Sequence, residues 1–153
     1  MNDMVKINTD GAIKNNRQAG CGGIIWDGKR NRLGGFSRYL GNCKAFVEEL
    51  WGVLKGRKLA RTLGMRKVEI NVGSQLVVVA LEIGKSNNVS GLSLIKRICE
   101  LMEDFNSCLV SHVYRETNVC VDVLANAACA LKHYCIYRYT LDYMKEFVLT
   151  YSN

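Results

Sequence analysis

Three acidic residues stand where packing alone would not put them. Asp10 closes the alternating run Val5-Lys6-Ile7-Asn8-Thr9, which reads as a strand, and Gly11 follows it. Strands disfavour aspartate, and a carboxylate at the end of a buried strand is costly unless something offsets its charge. Glu49 heads the spacing Glu49, Val53, Gly56, Ala60, Leu63, which places it on the core side of a helix. Asp122, in "ETNVCVDVLA", sits in the first turn of a later helix. Each has an ordinary reading: for Asp122, placement at a helix N-terminus is worth about 0.3–1 kcal/mol. Together they resemble carboxylates converging on one end of a sheet, which cations make tolerable. Mg2+ or Mn2+ would serve, being hard ions that prefer carboxylate oxygen and retain water. Glu48 falls with Lys55 on a different side of the helix and reads as solvated.

The chain between these acids supplies elements to position them. Residues 4 to 10 form the first strand. "GCGGIIWDGKRNRLGGFSRYLG" reads as a hairpin, with arms at Gly22–Trp26 and Arg32–Arg38 around Asp27-Gly28-Lys29. Helix formers run from Cys43 to Leu63, where Gly64 is placed to end them. "KVEINV" (67–72) is a fourth strand, and "SQLVVVALEIG" a short helix starting on Ser74 and stopped by Gly84. Residues 92 to 105 are an amphipathic helix with Leu94, Ile98, Leu101 and Phe105 on one side. "CLVSHVY" (108–114) is a fifth strand, and Asn118 caps a helix running to Leu131. A further helix is expected near "LDYMKEFVL". The order β-β-β-α-β-α-α-β-α implies an α/β fold: a mixed sheet with helices on both faces.

Composition fits one soluble globular domain. The chain has 153 residues, 48% hydrophobic and 23% charged, with no signal-peptide pattern and no apolar run of membrane-spanning length. Seven cysteines without zinc-type spacing read as reduced packing residues, which implies an intracellular setting. The formal charge of +7 permits a polyanionic partner without proving one.

The strings "VKINTDGA", "AGCGGIIWDGKRNRLGGFSRYLG", "EELWGVLKGRKLARTLGMRKVEINV" and "SHVYRETNVCVDVLANAA" occur in this order. They resemble the ribonuclease H-like domain of plant genomes, the type attached to or derived from non-LTR retrotransposon reverse transcriptases. The resemblance covers about residues 5 to 131. It implies a five-stranded mixed sheet whose second strand is antiparallel to the others. Residues 1–131 would form this domain, with 132–153 an appendix packed on it. The implied activity is hydrolysis of the RNA strand of an RNA–DNA hybrid by a monomer, in some cases part of a longer polyprotein. In the family two metal ions clamp the scissile phosphate, one activating water and one stabilising the leaving oxygen.

Position by position, Asp10 matches the first-strand aspartate that bridges both metals. Glu49 matches the glutamate of the "AEL" motif, with Glu48 in place of its alanine. Asp122 matches the aspartate of "REGNxxADxLA", here following Arg115-Glu116-Thr117-Asn118. The fourth acid, in a motif resembling "VEsDS", is absent: the chain reads Val68-Glu69-Ile70-Asn71-Val72-Gly73-Ser74, with Gly73 in its place. Same-face neighbours on a strand are about 6.6 Å apart, so Glu69 would be roughly 13 Å away and Asn71, though closer, is neutral. Losing one ligand and one negative charge implies weak metal occupancy and a severe loss of hydrolysis. His112, ten residues before Asp122, has a spacing that some ribonucleases H use for product release. It lacks the usual glycine-rich loop, and a structural role suits it better.

Basic residues offer a binding surface. Lys55, Lys58 and Arg61 line one exposed helix side, and Lys14 and Arg17 add charge near the hairpin. They read either as a solvated face or as contacts to nucleic-acid phosphates. The family reads RNA through backbone groups near the first strand, where Gly11 lies. Three functions remain open: a metal-dependent nuclease, a nucleic-acid-binding domain that cuts little, and a protein-interaction domain reusing the fold.

Overall fold

β1 (Met4–Ile13) is built on alternation: Val5, Ile7 and Thr9 are buried while Lys6 is exposed. The computed structural model describes residues 4–14, 17–86, 93–102, 107–112, 119–132, 134–139 and 146–151. β1 pairs antiparallel with β2 (Gln18–Trp26), which pairs antiparallel with β3 (Arg32–Asn42). On its other side β1 pairs in parallel with β4 (Lys67–Val72), and β4 with β5 (Ser107–His112). Among these five strands β2 alone runs against the rest, as the resemblance implies.

Two further strands, β6 (Tyr134–Tyr139) and β7 (Glu146–Tyr151), extend the sheet to the order β5-β4-β1-β2-β3-β6-β7. The expected five-stranded sheet is therefore seven-stranded, and the helix expected near "LDYMKEFVL" gives way to β7 over its described part. The physical reason is the open edge of β3. It offers unpaired backbone groups to "YCIYRY", a segment rich in residues that suit a strand. β6 then presents an edge to β7.

α1 (Ala45–Thr62), α2 (Gln75–Ser86) and α3 (Ser93–Met102) enclose the main core with the sheet. Its centre is Ile7, Ile25, Phe36, Leu50, Leu54, Ile70, Leu81 and Ile98. α1 ends where Gly64 takes φ +79°, and the amides of Gly64 and Met65 bond back to the carbonyls of Arg61 and Ala60. α2 begins with a bond from the Val77 amide to Ser74 Oγ and continues past Gly84 instead of stopping there. On α3 the buried residues are Ile95, Ile98 and Cys99, while Phe105 lies outside the described residues.

α4 (Val119–Leu131) covers the opposite face. It docks closely because β2 offers glycine there: a side-chain carbon at Gly22 would lie 2.8 Å from the Ala125 amide nitrogen. Asn118 and Arg115–Thr117 lie outside the described residues. Cys21, Cys99, Cys129 and Cys135 are buried thiols outside any disulfide. No helix among the described residues is long and apolar enough to cross a membrane.

Candidate active site

The parallel register between β1 and β4 sets the site. Thr9 pairs with Val72, the last residue of β4, so Asp10 and Gly73 follow side by side. β1 runs on to Ile13, and Asp10 marks the point where it loses its β4 partner rather than its end. Asp10 is 3% exposed. It pairs across β2 with Gly22, on the face covered by α4.

Gly11 brings α1 to this point. Its amide donates to Asp10 Oδ1 at 2.9 Å and to Glu49 Oε1 at 3.2 Å. Its missing side chain leaves room for Glu48, whose carboxyl carbon would lie 2.8 Å from a side-chain carbon at Gly11. Glu48 is therefore buried, 4% exposed, and the solvated placement expected for it is overturned. Two turns further along this side of α1, the Lys55 ammonium lies over the ring of Tyr134 from β6, which pairs with β3. Sequence reasoning had no strand to place under that side. The signal available was two adjacent glutamates opposite a glycine.

Burial and the neighbouring Asp10 charge raise the proton affinity of both glutamates. Burial, then the Asp10 charge, pushes Glu48 up to about 8. Burial again leads for Glu49, followed by the Asp10 charge and a hydrogen bond shared with Asp10, and its value rises to about 9. The Gly11 amide offsets this only in part. Asp10 Oδ2, Glu48 Oε2 and Glu49 Oε2 are all buried without a hydrogen-bond partner. Such oxygens suit protons or a hard cation.

Gly73 lies directly against the Asp10 carboxylate. A side-chain carbon there would lie 2.9 Å from Asp10 Oδ1. Asp122 is half-buried in the first turn of α4, and no hydrogen bond or ion pair joins it to the other acids. Its carbonyl accepts from Asn126 Nδ2, and Asn126 Oδ1 accepts from Lys14. Among the described residues no group of three or more acids, histidines or cysteines is arranged to hold a metal ion. His112 ends β5, paired with Val72.

The basic residues divide into two groups. Lys14 and Arg17 flank the β1–β2 turn, where Arg17 adopts φ 63°. Lys55 and Lys58 are half-buried and only Arg61 is exposed, so the expected exposed row is partly a packed one.

The sequence profile of the family described as "Reverse transcriptase-like" matches residues 8–128. A protein of Arabidopsis thaliana named "Putative ribonuclease H protein" is 41% identical over 130 residues. The match takes in 83% of this chain but only 21% of that protein, so the chain spans about one fifth of its length. The crystal structure of RNase H1 from Halobacterium salinarum superposes with a TM-score of 0.75 at 26% identity, over 82% of this chain and 96% of that one. LC11-RNase H1 in complex with an RNA/DNA hybrid gives 0.74 at 27% identity, over 84% and 98%.

Proposed function

The chain belongs to the reverse transcriptase-like family as a ribonuclease H-like domain of the plant type, and from that premise we propose that it binds RNA–DNA hybrid and cleaves it weakly or not at all. The observation that carries this is the Asp10–Glu49 pair gathered on the Gly11 amide, with a glycine against Asp10 where the family has a carboxylate.

The unpartnered buried oxygens of Asp10 and Glu49 fit a divalent ion such as Mg2+ or Mn2+, with Asp122 as the third family position. Such an ion would supply positive charge to activate water and stabilise the leaving oxygen. The chain's own residues do the rest. The Gly11 amide fixes Asp10 and Glu49 at the strand, and burial keeps Asp10 from bulk water. Gly73 contributes neither a ligand nor a charge. Lys14, Arg17, Lys55, Lys58 and Arg61 supply phosphate contacts that do not depend on sequence. The length of the Arabidopsis relative supports a role as one domain of a longer, retroelement-derived protein. Buried thiols that form no disulfide support an intracellular setting.

The test compares this chain with its Gly73→Asp variant on a labelled RNA–DNA hybrid in Mg2+ and in Mn2+. Cleavage by the variant alone is the expected result. Cleavage by the unmodified chain, abolished by Asp10→Asn, would overturn the reading of Gly73. Absence of hybrid binding by both would overturn the reading altogether.

A further inference from the structure

α1 carries Glu48, Trp51, Lys55 and Lys58 at i, i+3, i+7 and i+10, one stripe down the side that faces β3 and β6. At its middle two cations share two rings. The Arg38 guanidinium, from β3, lies 5.4 Å from the Trp51 ring centre and 4.9 Å from that of Tyr134. The Lys55 ammonium lies 5.7 Å and 5.3 Å from the same two rings. Lys58 and Arg97 of α3 are near enough to repel Lys55, so four like charges gather here. Among the described residues no carboxylate lies within ion-pair distance of them, and the ion pair Lys6–Glu69 is elsewhere, on β1 and β4. Arg38 Nε is buried without a hydrogen-bond partner.

Ring faces offset part of such a concentration of charge, but they accept no N–H bond from a buried guanidinium edge as an oxyanion does. We propose that Arg38, Trp51, Lys55, Lys58, Arg97 and Tyr134 form a phosphate site that holds the backbone of a bound nucleic-acid strand beyond the carboxylates. This deepens the hybrid-binding reading and rests on it. Lys55 is six residues along α1 from Glu49, a rise of about 9 Å. A strand advancing 3.4 Å per nucleotide covers that in roughly three nucleotides. The stripe begins at Glu48, beside Gly11, so one continuous strand can lie on both places.

The test measures binding of an RNA–DNA hybrid and of a single-stranded DNA of the same length by fluorescence anisotropy across a salt series. The proteins are the parent, Lys55→Gln, Lys58→Gln and Lys29→Gln, the last removing an equal charge at the exposed β2–β3 turn. Expected is a slope of log K against log salt lower by about one in Lys55→Gln and Lys58→Gln, with affinity down roughly three- to tenfold, and no slope change in Lys29→Gln. Thermal stability of Lys55→Gln without nucleic acid should not fall, since a purely structural contact would be lost as heat tolerance. Hybrid binding with equal slopes in all four proteins overturns the phosphate site and leaves the hybrid reading intact. Single-strand binding that needs Lys55, with no hybrid binding, supports the site and overturns the hybrid reading. Binding of neither probe by the folded parent overturns both.

Discussion

Gly73 stands against Asp10: a side-chain carbon at Gly73 would approach Asp10 Oδ1 to 2.9 Å. The Thr9–Val72 pairing of two parallel strands fixes this neighbourhood, so it does not depend on loop geometry. Any residue larger than glycine at position 73 must displace the Asp10 carboxylate or share a ligand with it. The displacement is small, because the atoms met belong to the end of a side chain.

Gly73→Asp should therefore couple stability to divalent metal. With chelator at pH 8, another carboxylate beside Asp10 should cost about 1–2 kcal/mol, or about 3–8 °C in melting temperature. Millimolar Mn2+ should return that loss and stabilise the variant more than the parent, as a ligand bound only by the folded state does. Melting curves with and without Mn2+ decide it. Equal metal shifts in the two proteins would mean that position 73 does not face the ion.

The raised proton affinities of Glu48 and Glu49 set a pH dependence. A carboxyl whose folded value lies above its unfolded value of about 4.5 stabilises the fold fully below that value. The contribution is lost as pH rises through about 8 for Glu48 and about 9 for Glu49. Stability in chelator should therefore decline from pH 5 to 8, each group contributing a slope of at most about 1.4 kcal/mol per pH unit. Glu48→Gln should flatten this decline and leave stability at pH 5 little changed. Urea titrations at pH 5, 6.5 and 8 measure it, and an unaltered slope in Glu48→Gln would place that carboxylate in water.

A chain ending at Leu131 should be poorly stable. β6 closes the β3 edge over five residue pairs, Gly34–Arg138 to Arg38–Tyr134, and buries Cys135. Its loss strips Tyr134 from α1 as well, and should cost about 2–5 kcal/mol, a large share of an ordinary domain's stability. The midpoint of urea unfolding is the readout. An unchanged midpoint would make the last segment a detachable appendix.

The sequence carried the strands and the acids well because their signals are local. Alternation marked Val5 to Thr9, and the isolated Asp10 stood out against it. What it hid was relational. Glu48 looks solvated on a helical wheel, and becomes buried because Gly11 leaves a space for its carboxyl group. The segment "LDYMKEFVL" has apolar spacing compatible with a helix, and over its described part, from Glu146, pairing with β6 decides for strand. Asp122 shows the opposite limit. Motif order matches it to the other acids, yet no hydrogen bond or ion pair joins its side chain to them.

The closure of β3 by β6 also sets an order of events during synthesis. Gly34 finds its partner Arg138 about a hundred residues later, a separation that makes this pairing among the slowest to form. β1 to β3 and α1 leave the ribosome early and can assemble around Ile7 and Phe36 while the outer edge of β3 is still bare. The nascent domain thus carries an open strand edge until its last segment emerges, and that interval is when it is most exposed to pairing with the wrong chain.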